Sequence, residues 1–389
     1  MNREEILKKK NYVIYGITYG SVIVSMLKGM GAKQIVLCNN SGDCENGVLL
    51  DDALREIVKH NLDCNIYIGV SRANEYQILK QIHEYKEIRE DSIVFFSELV
   101  TVYDSFIRER GDIIDYRIDY EKHVNKWAVE LMSEVKFWKE EVLTSGGRCY
   151  QQNVERNSVQ GFSCGRIPER DYRNKTILDL GCGLIYQWGC GNSEDVNYVP
   201  VDPLAYYYNN LYSRWEKANG FRKPTHFGMI EFLSNMYHGD ADYILIDNAI
   251  DHCIDPLKGL LEALKVLKKD GTLSLFTYEN ESLNALGWGL HQWNLALNNE
   301  KEFIIWNFGN YVNVSKYLKD YIDFSLVEDE TWYKKSVGCH RTFAVNMVKR
   351  KEIPREFYPD DRKEMTQAID AIMKSVSRAE YGLELNQIY

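Results

Sequence analysis

The stretch from Thr176 to Pro203 restricts the fold of this chain more than any other. A short apolar run, Thr176 to Leu178, leads into a glycine turn, Asp179 to Gly183, with the sequence DLGCG. About twenty residues later a second apolar run ends in Val201-Asp202-Pro203. This order of strand, glycine turn and acid-terminated strand is typical of a nucleoside site at the carboxyl edge of a parallel sheet. Glycine allows a ligand to approach the backbone closely, and the acid can accept hydrogen bonds from both ribose hydroxyls.

Composition excludes several classes of protein. The chain has 389 residues, which is long for a single core and favours two domains. Its net charge of −10 argues against a nucleic-acid-binding surface, which is normally basic. Nine cysteines without close C-x-x-C pairs fit neither a disulfide framework nor a zinc site, and they indicate buried thiols in a reducing compartment.

Targeting signals are also missing from the sequence pattern. The first ten residues, MNREEILKKK, mix acids with bases and lack the apolar core of a signal peptide. No uninterrupted apolar stretch reaches the length of a membrane span. We therefore expect a cytoplasmic protein without a membrane span. The sequence leaves open whether it forms a homo-oligomer.

Residues 1–100 are predicted to form a small α/β domain. Strands are expected at Tyr12–Tyr15, Gln34–Leu37, Cys64–Val70 and Ser92–Phe96, and helices at Ser21–Met30 and Asn74–Glu84. The pattern resembles the small Rossmann-like domain at the front of several bacterial enzymes of surface-sugar biosynthesis. Thr18 replaces the middle glycine of the dinucleotide fingerprint, and Asn39-Asn40 replaces the ribose-binding acid, so the pattern disfavours NAD. Docking or holding a nucleotide-linked sugar is favoured, with a structural or dimerisation role as the alternative.

Residues 101–174 are predicted to form a helical linker and cap. The main helix is expected at Tyr120–Leu143, and Gly146-Gly147 is a suitable helix end. Helices that precede a nucleoside-binding sheet often fold over the site. Glu134, Trp138 and Arg156 are therefore candidate substrate-binding residues, with core packing of Trp138 and surface positions of the two charged residues as the alternative.

A second α/β domain is predicted for residues 175–350. After the two strands of the opening stretch, further strands are expected at the ranges Thr225–Phe227, Tyr243–Ile246 and Thr272–Thr277. Asp255 and Pro256 are a good N-cap and first residue for a helix to Lys268. Strand-like runs at Ser325–Glu328 and Thr342–Val348 would close the sheet antiparallel at its edge. Residues 351–389 form a tail with a polar helix around Arg362–Arg378.

This second domain resembles the class I S-adenosylmethionine-dependent methyltransferase fold, a seven-stranded Rossmann-like sheet. The motifs are ILDLGCG with VPVDP on the cofactor side and NAIDHCIDP on the substrate side. It is more narrowly similar to a bacterial group of methyltransferases linked to polysaccharide loci, through VDPLA, NAIDH..DP, HQWN and the EVKFW run. The resemblance implies S-adenosylmethionine as the cofactor. The implied cofactor-binding residues are Asp179, Gly181, Cys182, Gly183, Asp202, Pro203, Glu231 with its neighbours Met229 and Ile230, and Asn248.

Methyl transfer to a sugar hydroxyl benefits from a group that takes up its proton. His252 and His291 are candidate general bases because histidine can be neutral near neutral pH, and Asp251 could orient His252 or accept the proton itself. The alternative for each histidine is a purely structural hydrogen bond. Candidate substrate-binding residues on this side are Glu281 and the HQWN residues Gln292, Trp293 and Asn294. No metal is predicted, because the usual ligand spacings are absent. A metal site formed by convergence of Asp251, His252, Asp255 and His291 is the alternative.

The sequence thus predicts a methyltransferase that O-methylates a sugar or nucleotide-linked sugar for a bacterial surface glycan such as capsule or O-antigen. Its partner is then a small-molecule or nucleotide-linked sugar substrate, without nucleic acid. One alternative is an N-methyltransferase of a small molecule. Another is a non-enzymatic nucleotide-sugar-binding or scaffold protein, because Ile185 stands where many relatives carry a small residue.

Overall fold

Contacts within the chain divide it into two units. The structure is a computed structural model that describes residues 2–15, 19–39, 47–70, 72–143, 172–184, 195–213, 224–235, 237, 241–285, 289–327, 342–357 and 362–385. The first unit comprises Met1–Asp112 with Asn298–Lys301, and the second comprises Ile113–Leu297 with Glu302–Tyr389.

The first unit contains a five-stranded parallel sheet in the order β3-β2-β1-β4-β5. Its strands are β1 (Lys10–Tyr15), β2 (Ile35–Asn39), β3 (Val48–Leu49), β4 (Cys64–Gly69) and β5 (Ile93–Val94). Its helices are α1 (Arg3–Lys8), α2 (Gly20–Gly29), α3 (Leu50–His60), α4 (Arg72–His83) and α5 (Phe96–Arg108), with a 3-10 turn at Glu90–Ser92.

Most of the predicted elements of this unit are present at slightly different bounds. β4 is buried along its whole length, as expected for a strand covered on both faces. The last predicted strand is shorter than expected, because Phe96 already begins α5, where Glu98 accepts a hydrogen bond from the Phe95 backbone. Thr18 and Asn40 lie outside the described residues.

The second unit contains a seven-stranded sheet in the order β15-β16-β11-β10-β7-β8-β9. β16 runs antiparallel to both of its neighbours, and the strands from β11 to β9 are parallel. The strands are β7 (Thr176–Leu180), β8 (Asn197–Asp202), β9 (His226–Phe227), β10 (Ala241–Asp247), β11 (Leu267–Tyr278), β15 (Ile322–Val327) and β16 (Thr342–Lys349). The predicted α/β alternation around a parallel sheet is confirmed, as is the antiparallel pairing of the two late strands.

Four further strands form a separate antiparallel sheet in the order β12-β13-β14-β6. They are β6 (Ile114–Asp115), β12 (Asn294–Leu297), β13 (Phe303–Asn307) and β14 (Asn310–Asn313). The sequence analysis predicted no strand in these segments. Their apolar residues pack into the same core as the large sheet, including Leu295, Ile305 and Val312.

The helices of the second unit are α6 (Tyr120–Leu143), α7 (Ala205–Ser213), α8 (Pro256–Val266), α9 (Glu281–Asn284), α10 (Val314–Tyr317) and α11 (Arg362–Leu385). Short 3-10 segments lie at Ile230–Asn235, Ile250–His252 and Arg355–Phe357. The Asp255 side chain caps α8 by accepting the Lys258 N–H at 3.0 Å, as predicted. Residues 144–171, which include Gly146 and Gly147, lie outside the described residues.

The tail helix α11 packs against α6. Ala368 and Ile372 of α11 are buried in the cluster that also contains Trp127 and Leu131 of α6. Ser375 Oγ donates a hydrogen bond of 2.9 Å to the Ala128 carbonyl. The tail therefore belongs to the core of the second unit. No helix in the described ranges combines the length and hydropathy needed to cross a bilayer.

Candidate functional site

A cavity of about 650 Å³ lies in the second unit at the carboxyl edge of the seven-stranded sheet. Its floor is made of the segments that directly follow β7, β8, β10 and β11, and one wall is made of α6. β7 lies at the point where the strand order reverses, which is where open α/β sheets bind ligands. Among the described residues, the lining comprises Trp127, Leu131, Ser133, Glu134, Phe137, Trp138, Gly181, Cys182, Gly183, Asp202, Pro203, Leu204, Tyr208, Met229, Ile230, Glu231, Asp247, Asn248, Ala249, His252, Cys253, Tyr278, Glu281, Gly289, Leu290 and His291.

The turn after β7 requires glycine at two positions. Gly181 and Gly183 have φ values of 66° and 60°, in the left-handed region that other residues rarely adopt. A Cβ atom on Gly181 would lie 2.4 Å from Cβ of Ala249, which is closer than any real contact. The missing side chain thus lets the turn lie directly against the loop after β10.

Asp202 joins the ends of β7 and β8. One of its carboxylate oxygens accepts the Gly183 N–H at 3.0 Å, and the other accepts the Leu204 N–H at 2.7 Å. Its side chain lies at the cavity and the residue is 6% exposed. Asp179 is placed differently: it is buried, accepts a hydrogen bond from the Tyr198 hydroxyl, and is not among the residues that line the cavity.

The remaining predicted cofactor-side residues, Cys182, Pro203, Glu231 and Asn248, all line the cavity, as do Met229 and Ile230. Glu231 is buried and its carboxylate accepts the Ile254 N–H at 2.7 Å, and burial raises its pKa. Asn248 has a left-handed φ of 51°. Its buried Oδ1 atom has no hydrogen-bond partner among the described residues, so it is a ready acceptor for a ligand.

Three candidate catalytic residues meet beside the cavity. His291 Nδ1 lies 2.7 Å from Asp251 Oδ2 and 3.2 Å from His252 Nε2, and the latter two atoms are 3.7 Å apart. We call these three atoms the triangle. Asp251 and His252 belong to the 3-10 turn after β10, and His291 precedes β12, so the site combines two distant parts of the sequence. Both histidines line the cavity, and Asp251 lies behind them at 0% exposure.

The groups around His291 act on the pKa of its imidazole in opposite directions. Burial alone would lower the pKa of this histidine, but the hydrogen bond to Asp251 and the charges of Asp251, Glu281 and Glu134 outweigh burial and raise its pKa above the usual value. Glu281 Oε1 lies 4.0 Å from His291 Nε2, and both residues line the cavity.

Helix α6 carries the residues of the opposite wall. Trp138 Nε1 donates to Glu134 Oε1 at 2.7 Å, and both side chains line the cavity. Trp127 Nε1 donates to the His252 carbonyl at 2.9 Å, which anchors the helix to the turn that carries Asp251 and His252 of the triangle. Arg156 and Ile185 lie outside the described residues.

The HQWN residues other than His291 lie beneath the site. Gln292, Trp293 and Asn294 are buried and do not line the cavity. Trp293 stacks on Tyr116 with ring centroids 5.4 Å apart, and Asn294 Oδ1 accepts the Leu283 N–H at 2.8 Å. The contacts of Trp293 and Asn294 hold in place the segment that follows His291.

Sequence reasoning missed several lining residues, notably Trp127, Leu131 and Tyr278. A signal for the first two was present, because Trp127, Leu131, Glu134 and Trp138 recur at spacings of four, three and four, which places them on one face of a helix. Tyr278 stands at the end of β11, where a residue of a parallel strand faces the ligand edge of the sheet.

No family model and no curated protein sequence matches the chain. Among solved structures, the YcgJ protein from Bacillus subtilis is 16% identical at a TM-score of 0.32, covering 46% of this chain and 94% of its own. CrArsM, an arsenic(III) S-adenosylmethionine methyltransferase from Chlamydomonas reinhardtii, is 16% identical at a TM-score of 0.30, covering 56% of this chain and 73% of its own. An S-adenosylmethionine-dependent methyltransferase from Mesorhizobium loti is 10% identical at a TM-score of 0.28, covering 46% of this chain and 93% of its own. Matches this distant carry no argument about function, which therefore depends on the site itself.

Proposed function

We propose that the protein is an S-adenosylmethionine-dependent methyltransferase that O-methylates a sugar or nucleotide-linked sugar. One cavity is lined by the glycine turn, by Asp202 and by the two histidines of the triangle, and the proposal rests on this observation. In this proposal the seven-stranded sheet is that of the class I methyltransferases and α6 is its cap. The glycan itself, a bacterial capsule or O-antigen, rests on the sequence resemblance.

The residues present fit the cofactor. A cavity of about 650 Å³ is of the size that binds cofactors and small ligands. Asp202 offers carboxylate oxygens to the ribose hydroxyls, Asn248 Oδ1 offers an unused acceptor, and Glu231 lies where the resemblance expects adenine. When bound, S-adenosylmethionine supplies a methyl group already activated by its positively charged sulfur.

The chain's own residues then have to bind the acceptor and remove its proton. We assign the first task to Glu134 and Glu281, whose carboxylates can accept hydrogen bonds from sugar hydroxyls, and to Trp138, whose ring can cover an apolar sugar face. The second task falls to Asp251, His252 and His291. In its simplest form, Asp251 holds Nδ1–H of His291, and His291 accepts the hydroxyl proton at Nε2.

The first unit is proposed to dock or hold the nucleotide-linked sugar. Its sequence departs from the NAD fingerprint at Thr18 and at Asn39-Asn40, which is the reason for preferring a sugar nucleotide to a redox cofactor. We also propose that the protein works in the cytoplasm, in line with its cysteine usage.

Calorimetric titration of the full chain with S-adenosylmethionine tests the cofactor assignment. We expect Asp202→Ala to weaken binding by about 100-fold, since the variant loses hydrogen bonds to a charged acceptor. Asp320→Ala removes an exposed carboxylate of the same unit and should leave affinity unchanged. Circular dichroism establishes that both variants are folded. Absence of binding to the unaltered protein at millimolar cofactor would refute the methyltransferase proposal and favour a scaffold or sugar-nucleotide-binding protein.

The acceptor is tested by mass spectrometry of surface glycans and sugar nucleotides from cells with and without the gene. The proposal predicts that one methyl group disappears from a sugar when the gene is deleted and returns with the unaltered gene. Loss of a methyl group from an amine of a small molecule, with unchanged glycans, would support N-methylation instead.

A further inference from the structure

The triangle contains three atoms that all prefer to accept a proton or bind a cation. In the neutral histidines and the ionised carboxylate, each of these atoms can offer a lone pair toward the centre of the triangle. Their separations are 2.7, 3.2 and 3.7 Å, so every pair is within direct electrostatic reach. Something positive is therefore needed between them.

A single proton cannot form a hydrogen bond in each of the three contacts. If Nδ1–H of His291 donates to Asp251, His252 Nε2 can only share that same proton. If His252 instead donates to His291 Nδ1, the His291 nitrogen becomes an acceptor and lies 2.7 Å from an acceptor oxygen of Asp251, which is repulsive. No arrangement of neutral histidines gives each contact its own hydrogen.

The carboxylate of Asp251 adds a second requirement for positive charge. The side chain is at 0% exposure, and its partners among the described residues are the two histidines. Its second oxygen, Oδ1, is also buried and has no hydrogen-bond partner among the described residues. A buried carboxylate needs a paired cation. A proton on His291 would supply that charge, but its Nδ1–H would still be shared between Asp251 and His252.

A metal ion satisfies both requirements. Two ligands at about 2.1 Å from a tetrahedral or octahedral ion are about 3.0–3.4 Å apart, and the three separations of the triangle bracket this range. We propose that Asp251 Oδ2, His252 Nε2 and His291 Nδ1 bind one divalent transition-metal ion. Because both histidines line the cavity, the remaining coordination positions of the ion are open toward it.

The ligand set restricts the kind of ion. Two imidazoles and one carboxylate suit zinc, iron(II), cobalt(II) or manganese(II), whereas magnesium and calcium prefer oxygen ligands. A metal bound through Nδ1 leaves a proton on His291 Nε2, and the Glu281 carboxylate at 4.0 Å is placed to favour that proton. Second carboxylates of this kind commonly orient metal-bound histidines.

The metal site also changes how the hydroxyl proton is removed. An ion in this position acts as a Lewis acid and lowers the pKa of a hydroxyl that binds to it, so the histidines serve as ligands and the released proton passes to Glu281 or to water. This role rests on the proposed methyl transfer. Metal binding itself does not, and it can be measured without any substrate.

The test uses the full chain, freed of any affinity tag and treated with a chelator, and titrated with cobalt(II) as a visible probe. We expect one ion per chain at micromolar affinity or better, with the absorption bands of nitrogen and oxygen coordination. His252→Ala and His291→Ala should each weaken binding by at least about 100-fold. His226→Ala, an exposed histidine of the same unit outside the triangle, should bind cobalt like the unaltered protein.

Two results would overturn the site. One is a cobalt affinity of the unaltered protein weaker than millimolar, and the other is unchanged binding in both triangle variants. Thermal unfolding with and without cobalt gives an independent readout on the unaltered chain, whose midpoint must rise with the ion. S-adenosylmethionine titration of the same metal-free samples separates the two proposals: cofactor binding without metal binding leaves methyl transfer standing and refutes the metal site alone.

Discussion

The carboxylates of Asp202 and Asp251 have different surroundings, and each is suited to a different task. Asp202 accepts hydrogen bonds from two backbone N–H groups, which stabilise its negative charge. Asp251 has two imidazoles as partners and is more deeply buried. The first is therefore suited to accept hydrogen bonds from neutral hydroxyls, and the second to hold a cation.

The sequence predicted Asp202 and the glycines more completely than the triangle, for a physical reason. The turn and the acid belong to neighbouring strands, so their spacing along the chain already implies proximity. His252 and His291 are 39 residues apart, and only the packing of β12 brings them together. The HQWN motif identified Trp293 as a candidate substrate-binding residue, but it did not predict that the side chain faces the core.

Gly181→Ala should destabilise the second unit. The left-handed backbone costs an L-residue about 1–2 kcal/mol, and the new Cβ would clash with Ala249. Urea unfolding should show a loss of at least about 1–2 kcal/mol in the free energy of unfolding. In Gly309→Ala, the nearest atom to the new Cβ is 4.0 Å away, so this control should change little. Equal effects of the two substitutions would contradict the assigned role of the turn.

At the scale of elements, α6 and the small antiparallel sheet decide the shape of the site. The long helix was predictable from its apolar spacing, which continues over several turns. The small sheet was not, because its strands are only two to five residues long and its pairing of β6 with β14 joins segments almost two hundred residues apart. Such distant pairings leave no local periodicity in the sequence.

Packing of α11 against α6 predicts that the tail supports the cavity. Ile372→Ala removes a side chain that is 2% exposed and should lower the free energy of unfolding by about 2–5 kcal/mol. It should also weaken S-adenosylmethionine binding, since α6 forms one wall. Met373→Ala changes the adjacent residue, which is 61% exposed, and serves as the matched control in both chemical unfolding and calorimetric titration. Equal cofactor affinities of the two variants would contradict this role of the tail helix.

At the scale of the whole molecule, two units with separate sheets and separate clusters of buried residues are present. The first sheet is entirely parallel, and the second carries an antiparallel strand within its order. All cavity-lining residues belong to the second unit. The proposed cofactor site and the proposed metal site therefore both belong to the second unit.

Differential scanning calorimetry of the full chain tests this division. We expect two unfolding transitions, of which S-adenosylmethionine at 100 times its dissociation constant raises one by about 5–10 °C. Addition of cobalt(II) should raise the same transition. A shift of both transitions by the same amount, or their merging into one, would show that the two units unfold together.

The hydrogen bond from Trp127 to the His252 carbonyl has a thermodynamic consequence. It connects the wall helix to the turn that carries two corners of the triangle, so displacement of one changes the position of the other. A ligand that holds α6 in place would then raise the affinity of the triangle for its ion. By reciprocity the ion would raise the affinity for that ligand by the same factor.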